Sequence, residues 1–375
     1  MVAEDALRPC ILHGRAKGAL ELLREGQKSS ELAATVFRSA AKRLNPKIKF
    51  HRPNWPESVH MRESIKAEPG RGFEPRNHPF YYELAEACRD VSFWDSPDDA
   101  HAVLTAMSRF PDKKFPVPDF LFHVASQGIG GALAEGKTRT AARLCSMLGL
   151  LIAGQETSVE SMTNNHPNPG LLLVDCRALV ATVAEQLEQL PFSVEAIGSI
   201  CEAMDRLGMR SPEAVDAVAA AFQRSSEPPP ALAIVQILKF LGTNGLAPVA
   251  LLNSLDSCIV SQISEFTAKD LTIVLHAKSK INDGKIDPCF LEISLRQIIE
   301  NVGTLGIGDC KRLRAAVKGR LEGSLLIEAE SAIGKRILTS SFVNPKEARR
   351  ANVTQFLVGP GEQRTLGLHD SLVDF

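Results

Sequence analysis

The 375 residues contain no apolar run approaching the length of a membrane-spanning helix, which takes about 20 consecutive apolar residues; no membrane insertion is expected. Aromatic residues are scarce, at 6% with two tryptophans and two tyrosines, and sheets favour aromatic and β-branched side chains. Charge of one sign is missing too. The formal net charge of −1 supplies no general field to draw in a polyanion. The eight cysteines (Cys10, Cys88, Cys145, Cys176, Cys201, Cys258, Cys289 and Cys310) include no pair at C-x-x-C spacing. They read as small buried hydrophobes in a reducing compartment rather than as a disulfide framework or metal site. There is no His-x-x-x-His pair and no nucleophile elbow, so no metal, no cofactor and no catalytic residue is expected. The opening MVAEDALRPC carries two acids and no apolar core, unlike a secretory or transit peptide.

What is present is leucine and alanine in helical register, the strongest helix formers. Helices are predicted near 6–25 and 29–44, the second with Leu32, Val36, Phe37, Ala40 and Leu44 on one face. Residues 45–80 break the pattern with Pro46, Pro53, Pro56, Pro69, Pro75 and Pro79. Proline removes a donor and disfavours helix before it. This segment reads as a loop or as an arm laid on a partner, with Trp55 and Phe73 as its anchors. From 81 to about 340 the chain reads as a helical-pair array, and after Ser341 as an extended polar tail. The fold class expected is all-α: stacked helical hairpins, solenoid-like, between the proline-rich arm and the tail.

The array is clearest over 193–300. Ser193, Ser211-Pro212-Glu213 and Thr267-Ala268-Lys269-Asp270 have the form of helix starts. Ile200/Ala203/Leu207, Ile234/Ile237/Leu241 and Val274/Ala277/Ile281 share an i, i+3, i+7 spacing, at offsets of 34 and 40 residues. That period belongs to helical-pair repeats, whose apolar faces are buried only when neighbours stack. A further pair is expected across 306–340.

The stretch Phe266-Thr267-Ala268-Lys269-Asp270-Leu271-Thr272-Ile273-Val274-Leu275-His276-Ala277-Lys278-Ser279-Lys280-Ile281 resembles the first helix of the repeats in organellar RNA-associated proteins, the octotricopeptide, heptatricopeptide and FAST-kinase-like families. The likeness covers about a third of the chain, with looser matches at 193–223 and 231–263. It implies a mitochondrial, RNA-associated protein; otherwise the chain is expected in the cytoplasm. No RAP-type nuclease-like domain is evident, so RNA cleavage is not expected.

One motif points elsewhere. Gly131-Ala132-Leu133-Ala134-Glu135-Gly136-Lys137-Thr138 fits the G-x4-G-K-[ST] pattern of phosphate-cradling loops. In that reading Lys137 holds phosphates, Thr138 holds a metal, and Asp175, after the aliphatic run Leu171–Val174, assists through water. The chemistry needs a buried strand ending at the first glycine, whereas Gln127-Gly128-Ile129-Gly130 precedes it and Ala-Leu-Ala-Glu fills the loop. A helix end at Gly136 explains the same residues better.

Charge is uneven along the chain. Residues 1–90 carry a net +4, 91–230 a net −7 and 231–375 a net +2. The densest basic run is Lys311, Arg312, Arg314, Lys318 and Arg320. With Lys239, Lys269, Lys278 and Lys280 on the preceding repeats, it is the candidate RNA-contacting surface. The sequence therefore points to a non-catalytic subunit of an organellar ribonucleoprotein such as a ribosome, bound to proteins and RNA. A protein-binding scaffold in an RNA-free complex is the alternative, and a P-loop nucleotide hydrolase the third.

Overall fold

A computed structural model describes residues 15–44, 79–109, 118–153, 169–318 and 324–343. Over these the chain forms fifteen α-helices and no strand, as the leucine- and alanine-rich periodicity requires. Helix α1 spans Arg15–Arg24, α2 Ser30–Leu44 and α3 Pro79–Ala87. Then come α4 (Pro97–Met107), α5 (Pro118–Ala134), α6 (Thr138–Ala153) and α7 (Pro169–Glu185). The central section holds α8 (Val194–Arg206), α9 (Pro212–Arg224), α10 (Ala231–Asn244) and α11 (Val249–Ser261). The last four are α12 (Ala268–Lys278), α13 (Pro288–Glu300), α14 (Ile307–Val317) and α15 (Ser324–Val343). The pair expected across 306–340 is therefore α14 and α15. Most of the proline-rich arm, with Trp55 and Phe73, and the tail after 343 lie outside the described residues.

Contacts between helices run in two series. Helices α2, α4, α6, α8, α10, α12 and α14 each pack on the next in that order. Helices α5, α7, α9, α11, α13 and α15 form a second series in the same way. Buried residues on both series merge into one hydrophobic core reaching from Ala16 to Ile333.

The helix starts set the repeat interval. First-series N-caps fall at Ser193, Pro230, Thr267 and Gly306, at intervals of 37, 37 and 39 residues. Second-series caps at Ser211, Pro248 and Asp287 follow at 37 and 39. The sequence offsets of 34 and 40 are corrected accordingly. An i, i+3, i+7 triplet slides by about one turn without losing its apolar matches, whereas the caps pin the register. In the corrected frame Ile197, Ile234, Leu271 and Cys310 are equivalent, and all are fully buried.

Glycines allow the first-series helices to approach closely. A Cβ on Gly149 would lie 3.0 Å from Ala203 Cα, one on Gly198 2.8 Å from Ala233 Cα, and one on Gly242 2.9 Å from Ala277 Cα. Gly242 is thus inside α10. The stop is Gly245, in the left-handed region at φ 76°. Asparagine side chains join the turns of successive repeats. Asn244 Oδ1 accepts from Ser211 N–H at 2.9 Å. Asn282 accepts from Ala247 N–H at 3.2 Å and donates to Ala247 O at 2.7 Å.

Candidate nucleic-acid interface

The first-series helices present a face whose charge changes along the array. In the middle its cations are paired. Arg139 and Arg143 on α6 reach Glu195 on α8 at 2.5 and 3.3 Å. The hydrogen bond from Arg139, with help from Arg143, holds the Glu195 carboxyl below the usual range. Glu202 on α8 accepts from Ser146 on α6 at 2.8 Å, from Gln236 on α10 at 2.9 Å, and pairs with Arg206. Lys239 on α10 meets Asp205 on α8 at 2.6 Å. Every cation named here has a carboxylate partner.

At α12 and α14 the balance shifts. Thr267 and Asp270 cap α12 reciprocally: Asp270 N–H donates to Thr267 Oγ1 at 3.2 Å, and Thr267 N–H donates to Asp270 Oδ2 at 3.1 Å. With the start fixed, helical spacing turns Leu271, Val274, Leu275 and Lys278 inward. The opposite stripe, at steps of four, three and four, is Lys269, Ile273, His276 and Lys280, exposed at its lysines and half-buried between them. On α14, Cys310, Leu313, Ala316 and Val317 are buried, leaving Lys311, Arg312, Arg314 and Lys318 exposed. Arg312 bonds Asp309 on its own helix at 2.9 Å. Among the described residues, Lys269, Lys280, Lys311, Arg314 and Lys318 have no carboxylate within salt-bridge distance. Burial, then Lys280 and Arg312, hold His276 below the ordinary imidazole range.

Three of the candidate RNA contacts are not brought into this surface, Lys239 because Asp205 holds it on α10. Lys278 is 5% exposed; its ammonium pairs with Asp256 on α11 and sits 4.3 Å over the Phe290 ring. It cannot reach a ligand outside, because it occupies the inward position that Met204, Leu241 and Val317 take in the other repeats. Asp256 likewise stands at the register position of Ala219 and Leu295. Burial raises the Asp256 pKa, opposed by its bond to Lys278. Arg320 lies outside the described residues.

The nucleotide-binding pattern is helical. Gly131 is inside α5, and a Cβ there would lie 1.9 Å from the Trp94 carbonyl oxygen. The glycine serves the approach of the 91–96 loop, not a phosphate. Gly136 adopts φ 69° and ends α5: Lys137 N–H donates to Ala132 O at 2.7 Å, as a left-handed helix terminus requires. Lys137 is taken up by Glu135 at 2.7 Å and Asp98 at 3.9 Å. Thr138 donates to Pro191 O at 3.2 Å, and Asp175 is an exposed residue of α7. No strand feeds this turn, and a phosphate loop needs one.

The buried cysteines are not poised for reaction. Burial pushes the Cys88, Cys145 and Cys176 thiols up to about 12, far from the thiolate that chemistry uses. Among the described residues no group of three or more His, Cys, Asp or Glu side chains is placed to hold a metal ion.

Compared with known proteins, the chain matches no family model and no curated protein.

Proposed function

We propose that this chain is a non-catalytic, solenoid-like helical-repeat subunit of an organellar ribonucleoprotein assembly, binding RNA through the α12–α14 face and proteins elsewhere. The observation that carries the reading is the change of charge along one series of helices. From α6 to α10 the cations Arg139, Arg143, Arg206 and Lys239 meet carboxylates, whereas over α12–α14 five exposed lysines and arginines stand without one. Unmatched cations on adjacent helices suit a phosphate backbone, which releases counterions when they bind it. The mitochondrial, ribosome-like setting rests on the resemblance of residues 266–281.

A second reading, a protein-binding scaffold in an RNA-free complex, is favoured by one feature. The exposed residues of α11, among them Val249, Asn253, Ser254, Ser257 and Val260, include no charged side chain, and interface centres are depleted in charge. Purification of the native assembly through a tag on this chain, with and without ribonuclease, separates the two. Co-purifying RNA, with a particle that shrinks on ribonuclease treatment, supports the first. An RNA-free, ribonuclease-insensitive particle supports the second.

A further inference from the structure

We infer that the α12–α14 face holds RNA by its phosphates alone and reads no base, so that strands of equal length bind alike whatever their sequence. This inference rests on the proposed interface and names what that interface recognises. Bases are read in two ways: their edges by hydrogen bonds from amide, hydroxyl, carboxylate or guanidinium groups, and their faces by stacking on rings or guanidinium planes. Residues 267–280 and 306–318, which hold the two helices and their caps, contain no asparagine, glutamine, phenylalanine, tyrosine or tryptophan. Phe266, just before the α12 cap, and Phe290 on α13 are buried.

The short polar side chains that are present serve the helices themselves. Thr267 Oγ1 donates to Asp270 Oδ2 at 2.6 Å and accepts from the Asp270 N–H at 3.2 Å. Thr272 is buried and donates to Ala268 O at 2.8 Å. Ser279 donates to His276 O at 2.8 Å. Asp309 accepts from Gly306 N–H at 3.3 Å and from Arg312 at 2.9 Å. The His276 ring is half-buried, with its Nδ1 sealed from solvent. On α10, which packs against α12, Gln236 donates to Glu202 at 2.9 Å.

What these two helices offer a ligand is Lys269, Lys280, Lys311, Arg314 and Lys318, all exposed. An ammonium is a compact charge without the planar fork that matches a base edge. Arg314 supplies the one fork outside the Asp309 pair, so guanosine is the base that tests the claim most sharply. Lys269 and Lys280 stand about 16 Å apart along α12, and Lys311 and Lys318 about 10 Å apart along α14. Charge spread along two packed helices follows a backbone and builds no pocket for a single nucleotide. Choice of a particular RNA then falls to the protein partners of the assembly.

The test uses the full chain and RNA strands of about 12 nucleotides, made of uridine, cytidine or adenosine alone, with a fourth of uridine and interspersed guanosine. Dissociation constants are measured at one salt concentration, and inorganic polyphosphate is the competitor. Constants that agree within about fivefold, the least that one bidentate base contact would confer, are the expected result, with polyphosphate displacing every strand. A wider preference for any base, or a strand that polyphosphate does not displace, overturns recognition by phosphate alone while the interface stands. No binding by any strand, or binding undiminished when Lys269, Lys280, Lys311 and Lys318 are changed to glutamine, overturns the interface as well.

Discussion

At the scale of single residues, the Lys278–Asp256 pair is the least expected feature of the core. A lone buried charge is costly, and a pair offsets that cost only with good geometry. Here the ammonium has both carboxylate oxygens and the Phe290 face. Lys278→Met leaves Asp256 without its cation and should lower stability by roughly 3–5 kcal/mol in chemical denaturation. Combining it with Asp256→Leu restores the apolar side chains found in neighbouring repeats and should recover most of that loss. A double variant no more stable than Lys278→Met would show that the pair is not isolated from its surroundings. Glycines divide in the same way. Gly131→Ala forces a methyl against the Trp94 carbonyl and should cost well over 1 kcal/mol. Gly334→Ala enters open space on α15 and should stabilise by about 0.5–1 kcal/mol. Equal thermal midpoints for the two would contradict the packing described.

His101 on α4 adds a pH term. Burial, then the charge of Arg143, holds it below the ordinary value of 6.5, with Asp98 pulling the other way. A histidine whose folded pKa is depressed keeps its full contribution above the unfolded value, and loses it as pH falls from there toward the folded value. The thermal midpoint should therefore drop as pH falls below about 6.5, and less so in His101→Gln. An unchanged pH dependence in that variant would remove His101 from the account.

At the scale of elements, helix starts carried more information than apolar spacing. Ser193, Ser211-Pro212 and the Thr267/Asp270 box are legible from residue type alone, and each sits at an observed start. The repeat interval was misjudged because apolar triplets match at several shifts. In the cap register Lys278 falls among Met204, Leu241 and Val317, and the sequence alone then marks it as inward. Gly242 and Gly131 were not legible, since their roles come from Ala277 on the next helix and from the backbone at Trp94. Both are contacts between residues more than thirty positions apart. The asparagine links between turns were equally hidden. Asn282→Ala removes two bonds to Ala247 and leaves that backbone unpartnered at the turn, a loss of about 1–3 kcal/mol in urea unfolding. A loss within experimental error would mean water replaces the side chain.

At the scale of the whole molecule, the near-zero net charge hid the feature that matters. Acids of α8 take up bases of α6, α8 and α10, with Glu195 serving both Arg139 and Arg143, while among the described residues Lys269, Lys280, Lys311, Arg314 and Lys318 have no such partner. The basic run at 311–320 and Lys269 and Lys280 were visible in the sequence. Their placement on two helices that pack on each other was not. The central claim is that this surface holds an RNA backbone. The most direct measurement is the salt dependence of polyuridylate binding for the native chain and for a variant with Lys269, Lys280, Lys311 and Arg312 changed to glutamine. The account predicts weaker binding and a log–log salt slope shallower by roughly 0.7 for each cation that touches phosphate. An unchanged affinity and slope would contradict it.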